Sequence, residues 1–225
     1  MINIKDIESV KFIAIVVDKN EMLPDASALY THLLRLHKKV SIISTDKKEN
    51  KKFSFLPWYE KIRDIIPSTA DLIIELDDKK DEVNYFFENN KIALNQKIAT
   101  ALYASLLIRY DGFISDGVDG IIFARASQLI DAGAEYKLCN KFIMKRTTLA
   151  TMKLKALMLK NISLKHSAKE AVFYISDDDL KLTGATLEDA QIIMKEVLYL
   201  EYVENVTLVK SDEENRIVKL ISKEI

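Results

Sequence analysis

A chain of 225 residues with 48% hydrophobic side chains can bury one large core or two smaller ones, and its composition excludes global disorder. The 33 basic and 34 acidic groups nearly cancel, so total charge selects no class of partner. The single cysteine, Cys139, excludes an intramolecular disulfide framework and a cysteine-based zinc site and fits a reducing compartment.

No apolar run approaches the roughly 18 residues of a membrane-spanning helix, and the opening residues lack the basic-then-apolar layout of a secretory signal. A cytoplasmic protein with no membrane span is expected. Five Gly and three Pro leave no Walker or dinucleotide-binding glycine pattern. The run Phe12 to Val17, rich in β-branched residues, predicts a strand buried on both faces. Pro24 and Asp25 stand where a helix should begin, and Leu29, Leu33, Leu34 and Leu36 continue it with helical spacing. Val40 to Ile43 follows as a second strand, and this β-α-β order implies a parallel sheet with a right-handed crossover. After a lysine-rich turn, Leu56 to Ile66 predicts a helix ended by Pro67, and Asp71 to Leu76 a third strand. About three sheet strands are therefore expected, with an exposed edge that a helix caps or association uses.

From Glu82 the pattern turns helical, with segments over Val83 to Phe87, Ile98 to Leu107, and Ile121 to Ile130 closed by Gly133. Lys137 to Leu164 carries apolar residues at near-helical intervals and predicts one long amphipathic helix. Ala171 to Ile175, Leu187 to Leu200, Val203 to Val209 and Ile217 to Ile221 predict a smaller β-α-β-β domain. The acidic run Asp177-Asp178-Asp179 between them is expected to be a solvated loop.

Charge is distributed unevenly along this plan. Residues 137–169 hold nine Lys or Arg and no Asp or Glu, leaving 24 basic against 34 acidic groups elsewhere. Such an acid-free segment suits a phosphodiester backbone or an acidic protein surface equally well. Lys141, Lys145, Arg146, Lys153 and Lys160 are its candidate phosphate- or partner-binding residues.

Several segments resemble, in order, the DHH phosphoesterase superfamily, in particular its RecJ-like and oligoribonuclease-like two-domain members. Pro24-Asp25-Ala26-Ser27-Ala28-Leu29 is similar to the family's first motif, Pro-Asp-Gly-Asp-Ala-Leu. Phe55-Leu56-Pro57-Trp58 with Asp71 to Asp77 is similar to the approach to its second. Ala99 to Leu107, Asp111-Gly112-Phe113, Ala126 to Ala134 and Arg146 to Leu159 resemble the alanine-rich helix, Gly-Phe turn, helix closing on Ala-Gly-Ala, and connector helix.

The resemblance implies a pair of divalent cations, usually manganese, held by Asp and His at the carboxyl ends of parallel strands. Asp25 matches the first-motif aspartate, and Asp77, with Asp78 beside it, the second-motif aspartate. Ser27 and Glu21 stand where a second aspartate and a histidine belong, and Arg109 where the alanine-rich helix ends in a ligand aspartate. The Asp-His-His motif is absent, and the family's glycine-rich C-terminal motif is not reached before Ile225. Two aspartates and a glutamate cannot assemble a binuclear centre. A guanidinium at the vacated position would take over the metal's charge and repel the ion.

The bland readings are a helix-start carboxylate for Asp25, a solvated turn for Asp77 and Asp78, packing or surface roles for His32, His37 and His166, a core thiol for Cys139, and helix packing for Trp58 and Tyr59. The fold class expected is α/β. A reduced DHH-like parallel-sheet domain occupies residues 1–135, a long basic connector helix 136–168, and a small, truncated α/β C-terminal domain 169–225. The leading functional expectation is a pseudoenzyme without a cofactor, acting by protein association, including homodimerisation, or by binding a phosphate ligand such as a short nucleic acid or nucleotide. The alternative keeps Mn or Mg on Asp25, Asp77 and Asp78 for phosphodiester hydrolysis of short oligonucleotides or cyclic dinucleotides.

Overall fold

The computed structural model describes residues 2–46, 51–77, 81–144 and 147–223. The chain divides into two units, residues 1–146 and 147–225, each with its own apolar core.

In the first unit, β1 (Phe12–Val17) is buried along its whole length. It pairs in parallel with β2 (Lys39–Ser44) on one side and β4 (Leu72–Leu76) on the other. A strand with neighbours at both edges and apolar material on both faces needs no polar alternation, which explains the unbroken Phe-Ile-Ala-Ile-Val-Val run. A two-residue strand, β3 (Ile62–Arg63), extends the sheet beyond β2, for an order of β3-β2-β1-β4. The exposed edge is β4, where a short helix, α1 (Ile4–Ser9), lines a cleft together with Leu72 to Glu75. Val17 lies opposite both Ser44 and Leu76, so the chain leaves β1, β2 and β4 at one shared carboxyl edge.

Helix α2 (Leu23–Arg35) connects β1 to β2, and after β4 come α3 (Glu82–Asn89), α4 (Gln96–Arg109) and α5 (Gly120–Asp131), with a single turn, α6 (Tyr136–Cys139), packed on α4. Ten consecutive residues of α4, Ile98 to Leu107, are buried. A helix that is apolar or small all round belongs inside, and α4 is surrounded by α2, α5 and α6. It ends in Asp111-Gly112-Phe113, three successive left-handed residues. Gly112, with φ of 70°, suits this left-handed turn, and a Cβ there would also push aside the flexible end of the Met144 side chain.

Three sequence expectations are corrected. Leu56 to Ile66 is not a helix: Trp58 takes a left-handed φ of 68° and the segment becomes a 3-10 turn, Tyr59–Lys61, leading into β3. Its apolar residues serve an irregular segment pinned to α2, where Trp58 Nε1 donates to Thr31 Oγ1 at 3.0 Å. The stretch 137–164 is also not one helix. It comprises α6, a π-helical turn (Asn140–Met144), α7 (Leu149–Lys160) and the start of β5 (Ser163–Lys165). Cys139 and Ile143 belong to the first core, whereas Leu154 and Met158 belong to the second. Thr148 opens α7 as a fresh N-cap, its hydroxyl accepting from Thr151 N. Lastly, Asp177 to Asp179 form the first turn of α8 (Asp177–Thr183) rather than a loop. Ser176 and Asp179 make a reciprocal capping box there, and three carboxylates complement the helix dipole.

The second unit also contains β6 (Glu170–Ile175), α9 (Leu187–Leu198), β7 (Asn205–Lys210) and β8 (Arg216–Ser222), in a mixed sheet of order β5-β6-β7-β8. Only β6 and β7 pair in parallel. Helices α7 and α9 cover one face through Leu154, Met158, Ile193 and Met194, against Phe173 and Leu208. Among the described residues, no helix is long and apolar enough to cross a membrane.

Candidate functional site

At the carboxyl edge of the parallel sheet, Asp25 enters from the first turn of α2 and is almost fully buried. The guanidinium of Arg109, from the last turn of α4, donates to Asp25 Oδ2 at 3.3 Å. Arg109 Nε also lies 3.5 Å from Asp81 Oδ1, just before α3. The other oxygen of Asp81 accepts from Arg125 Nη1 at 2.8 Å, and Asn84 Nδ2 donates to Asp81 Oδ1 at 2.7 Å. Arg125 then grips Glu88 with both Nε and Nη2. The result is an alternating row, Asp25, Arg109, Asp81, Arg125, Glu88, that ties four helices together through charge-assisted hydrogen bonds, except at Arg109–Asp81, where the two groups form an ion pair without a hydrogen bond.

Burial decides how these charges behave. Desolvation pushes Asp25 up to about 6, against the opposing pull of the Ser105 hydroxyl and the Arg109 guanidinium. Its second oxygen, Oδ1, is buried without a hydrogen-bond partner among the described residues. A second cation stands on the other side of the first motif: burial lowers the Lys52 ammonium while the nearby carboxylates of Glu21 and Asp111 raise it. Thus Asp25 faces Arg109, and Glu21 lies within the field of Lys52. Ser27, in the place of a second aspartate, donates its hydroxyl to the Pro57 carbonyl at 2.7 Å and holds the irregular segment before Trp58.

A divalent pair needs several convergent oxygen or imidazole donors with free lone pairs. Here one carboxylate is desolvated and ion-paired to Arg109, and the next carboxylate, Asp81, is itself held between Arg109 and Arg125. Among the described residues, no three His, Cys, Asp or Glu side chains converge to hold a metal ion. The donor set of the described residues does not fit the binuclear centre implied by the sequence resemblance.

The remaining sequence candidates are dispersed. Asp77 follows β4 at the same edge of the sheet and is exposed. Asp78 lies outside the described residues, as do Lys145 and Arg146. Lys141 is exposed on the π-helical turn of the first unit, and Lys153 and Lys160 are exposed on α7 of the second. His32 is buried and packs edge-on against Phe86 and Phe87. Cys139 is a fully buried core thiol, raised to about 12 by desolvation. Trp58 packs against Tyr30 and lies beneath the Lys97 ammonium.

Sequence reasoning missed Asp81, Glu88 and Arg125. A signal for Arg125 existed: Ile122, Arg125, Ala126 and Leu129 share the inward spacing of α5, so a charge there demands buried partners. Nothing in the spacing named those partners.

No family model matches this sequence, and no curated protein matches it. Among solved structures, the chain is similar to an exopolyphosphatase-related protein from Bacteroides fragilis. The TM-score is 0.78 at 12% identity, over 98% of this chain and 82% of that one. A Methanococcus jannaschii protein described as a family II inorganic pyrophosphatase aligns over 88% of this chain and 64% of its own, at 12% identity, but its TM-score of 0.29 carries no argument. The likeness to the Bacteroides protein is therefore one of fold: the α/β architecture is shared across nearly the whole chain.

Proposed function

We propose that this chain is a DHH-phosphoesterase-like protein without metal-dependent hydrolysis, working in the cytoplasm as a binding protein rather than as a nuclease. The observation that carries this reading is the Arg109 guanidinium, 3.3 Å from the buried Asp25 carboxylate. A fixed cation at that distance neutralises the charge that a divalent ion would use and opposes the ion's approach. Lys52 beside Glu21 acts in the same sense. The collinear RecJ-like and oligoribonuclease-like motifs, and a fold neighbour described as exopolyphosphatase-related, support descent from phosphoester chemistry. What remains is a folded carboxyl edge with its charges paired internally, suited to recognition by shape, and an acid-free basic segment suited to an anionic or acidic partner.

The test combines thermal unfolding with and without manganese and hydrolysis of bis(p-nitrophenyl) phosphate by the full chain. The expected result is no manganese-dependent shift and no turnover. Manganese-dependent turnover that disappears in Asp25→Ala and Asp77→Ala would overturn the proposal in favour of a residual phosphodiesterase. The orphaned Oδ1 of Asp25 is the one observation on that side.

A further inference from the structure

Helix α7 has two apolar faces. Leu154 and Met158 point into the core of the second unit and are fully buried. On the opposite side, Leu149, Met152, Ala156 and Leu159 repeat at intervals of three and four residues and are exposed, Leu149 to 72%, Met152 to 52% and Leu159 to 42%. That spacing places them in one stripe along the roughly 18 Å of a three-turn helix. Lys153 and Lys160 run along one side of the stripe, both exposed, and no described carboxylate forms an ion pair with either, while Lys155 on the other side pairs with Glu196. Lys160, in the last turn, also complements the helix dipole, but Lys153, in the middle of α7, has no such local role.

We infer that the outward face of α7 docks an acidic amphipathic helix of another protein, packing helix on helix along the Leu149–Leu159 stripe. The chemistry of the face selects this occupant. Exposed aliphatic residues at heptad-like spacing, with an adaptable Met among them, match the groove-and-ridge contact of a second helix. Lys153 and Lys160 share one flank and are both cationic, whereas Lys155 on the other flank already pairs with Glu196, so the partner needs Asp or Glu along the flank that meets Lys153 and Lys160. A second copy of this chain would bring Lys153 and Lys160 against lysines and is disfavoured by the same argument. Single-stranded nucleic acid would leave the aliphatic stripe unused, because base recognition draws on aromatic platforms and α7 has none. This inference goes beyond the loss of hydrolysis and is separable from it: manganese-dependent turnover would sink that proposal and leave this face untouched.

The test is a fluorescence-anisotropy titration of the full chain with a labelled synthetic peptide of about three heptads, with Leu at the a and d positions and Glu at e and g. Binding that weakens with salt is expected, with hydrogen-exchange protection over residues 149–160. Lys153→Glu with Lys160→Glu should weaken it at least about tenfold, and Met152→Asp comparably. The Lys153→Gln, Lys160→Gln pair should give an intermediate loss, with unfolding curves unchanged because these side chains are exposed. The inference is overturned if the peptide does not bind, if a Lys-for-Glu version binds as well, or if the substitutions leave affinity intact. Preferential binding of a 12-nucleotide uridine RNA or of phosphatidylserine vesicles through the same lysines would also overturn it, as would self-association abolished by Met152→Asp.

Discussion

The first unit places Asp25, Arg109, Asp81 and Arg125 where water is largely excluded, whereas the second keeps its carboxylates at helix starts and on the surface. Even Lys210, itself buried, reaches out to Asp177 and Glu213, which are exposed. The reason lies in what packs around each sheet. Asp18 and Asp77, immediately after β1 and β4, are exposed; it is where α2 to α5 pack together beyond the sheet that Asp25, Asp81, Arg109 and Arg125 lose water and must be paired or neutralised. A mixed sheet covered by helices on one face leaves its connecting turns in water, where a charge does no more than cap a helix or balance a neighbour. The paired Asp25–Arg109 site accordingly belongs to the first unit, and the α7 face to the second.

The sharpest way to break this contrast is Arg125→Ala, which strips partners from both Asp81 and Glu88. A loss of about 3–5 kcal/mol is expected in urea unfolding, with faster hydrogen exchange in α3 and α5 and little change in β6 and β7. Leu154→Ala should cost about 2–4 kcal/mol by opening a cavity in the second core alone. Equal destabilisation of β1 and β2 by that substitution would show that the units unfold as one.

Asp25 sharpens the comparison through pH. Its folded-state value near 6 lies above the ordinary 3.8, so the folded chain holds this proton more tightly than the unfolded one. The stabilisation is fully present below about pH 4 and is lost as pH rises through about 6. Urea midpoints measured from pH 4 to 8 should fall by the equivalent of about 2 kcal/mol on this account, and Asp25→Asn should flatten the profile. Asp189, at the start of α9, shifts the opposite way: desolvation raises it, but the Thr186 amide and the Thr151 and Thr186 hydroxyls together hold it low, so its contribution is not lost as pH rises.

Smaller effects complete the series. Ser176→Ala removes half of the capping box of α8 and should cost about 1 kcal/mol, read from thermal unfolding. Lys155→Ala breaks a surface pair with Glu196 and should cost less than about 1 kcal/mol, in contrast to Arg125.

Strand β1, the β-α-β start, α2 to α5 and, of the second unit's four-stranded sheet, β6, β7 and β8 were legible because continuous apolar runs and helical spacing report burial directly. Leu56 to Ile66 misled because Leu56, Trp58 and Tyr59 mimic helical spacing while the backbone at Trp58 turns left-handed to meet Thr31. The stretch 137–164 misled because its apolar residues belong to two different cores, and periodicity cannot tell which core a residue faces. At the site, Asp25 and Arg109 could be named from their places in collinear motifs. Their 3.3 Å approach, and the continuation through Asp81 to Arg125 and Glu88, could not.

The buried strand β1, the helical spacing of α2 to α5 and the absence of acid from residues 137–169 were determined by local composition and spacing, since each is set by neighbours in the chain. Which carboxylate meets which guanidinium, and which face of α7 remains uncovered, were decided only in three dimensions. Those contacts join residues as far apart as Asp25 and Arg109, and both charge pairing and burial depend on distance in space rather than on separation along the sequence.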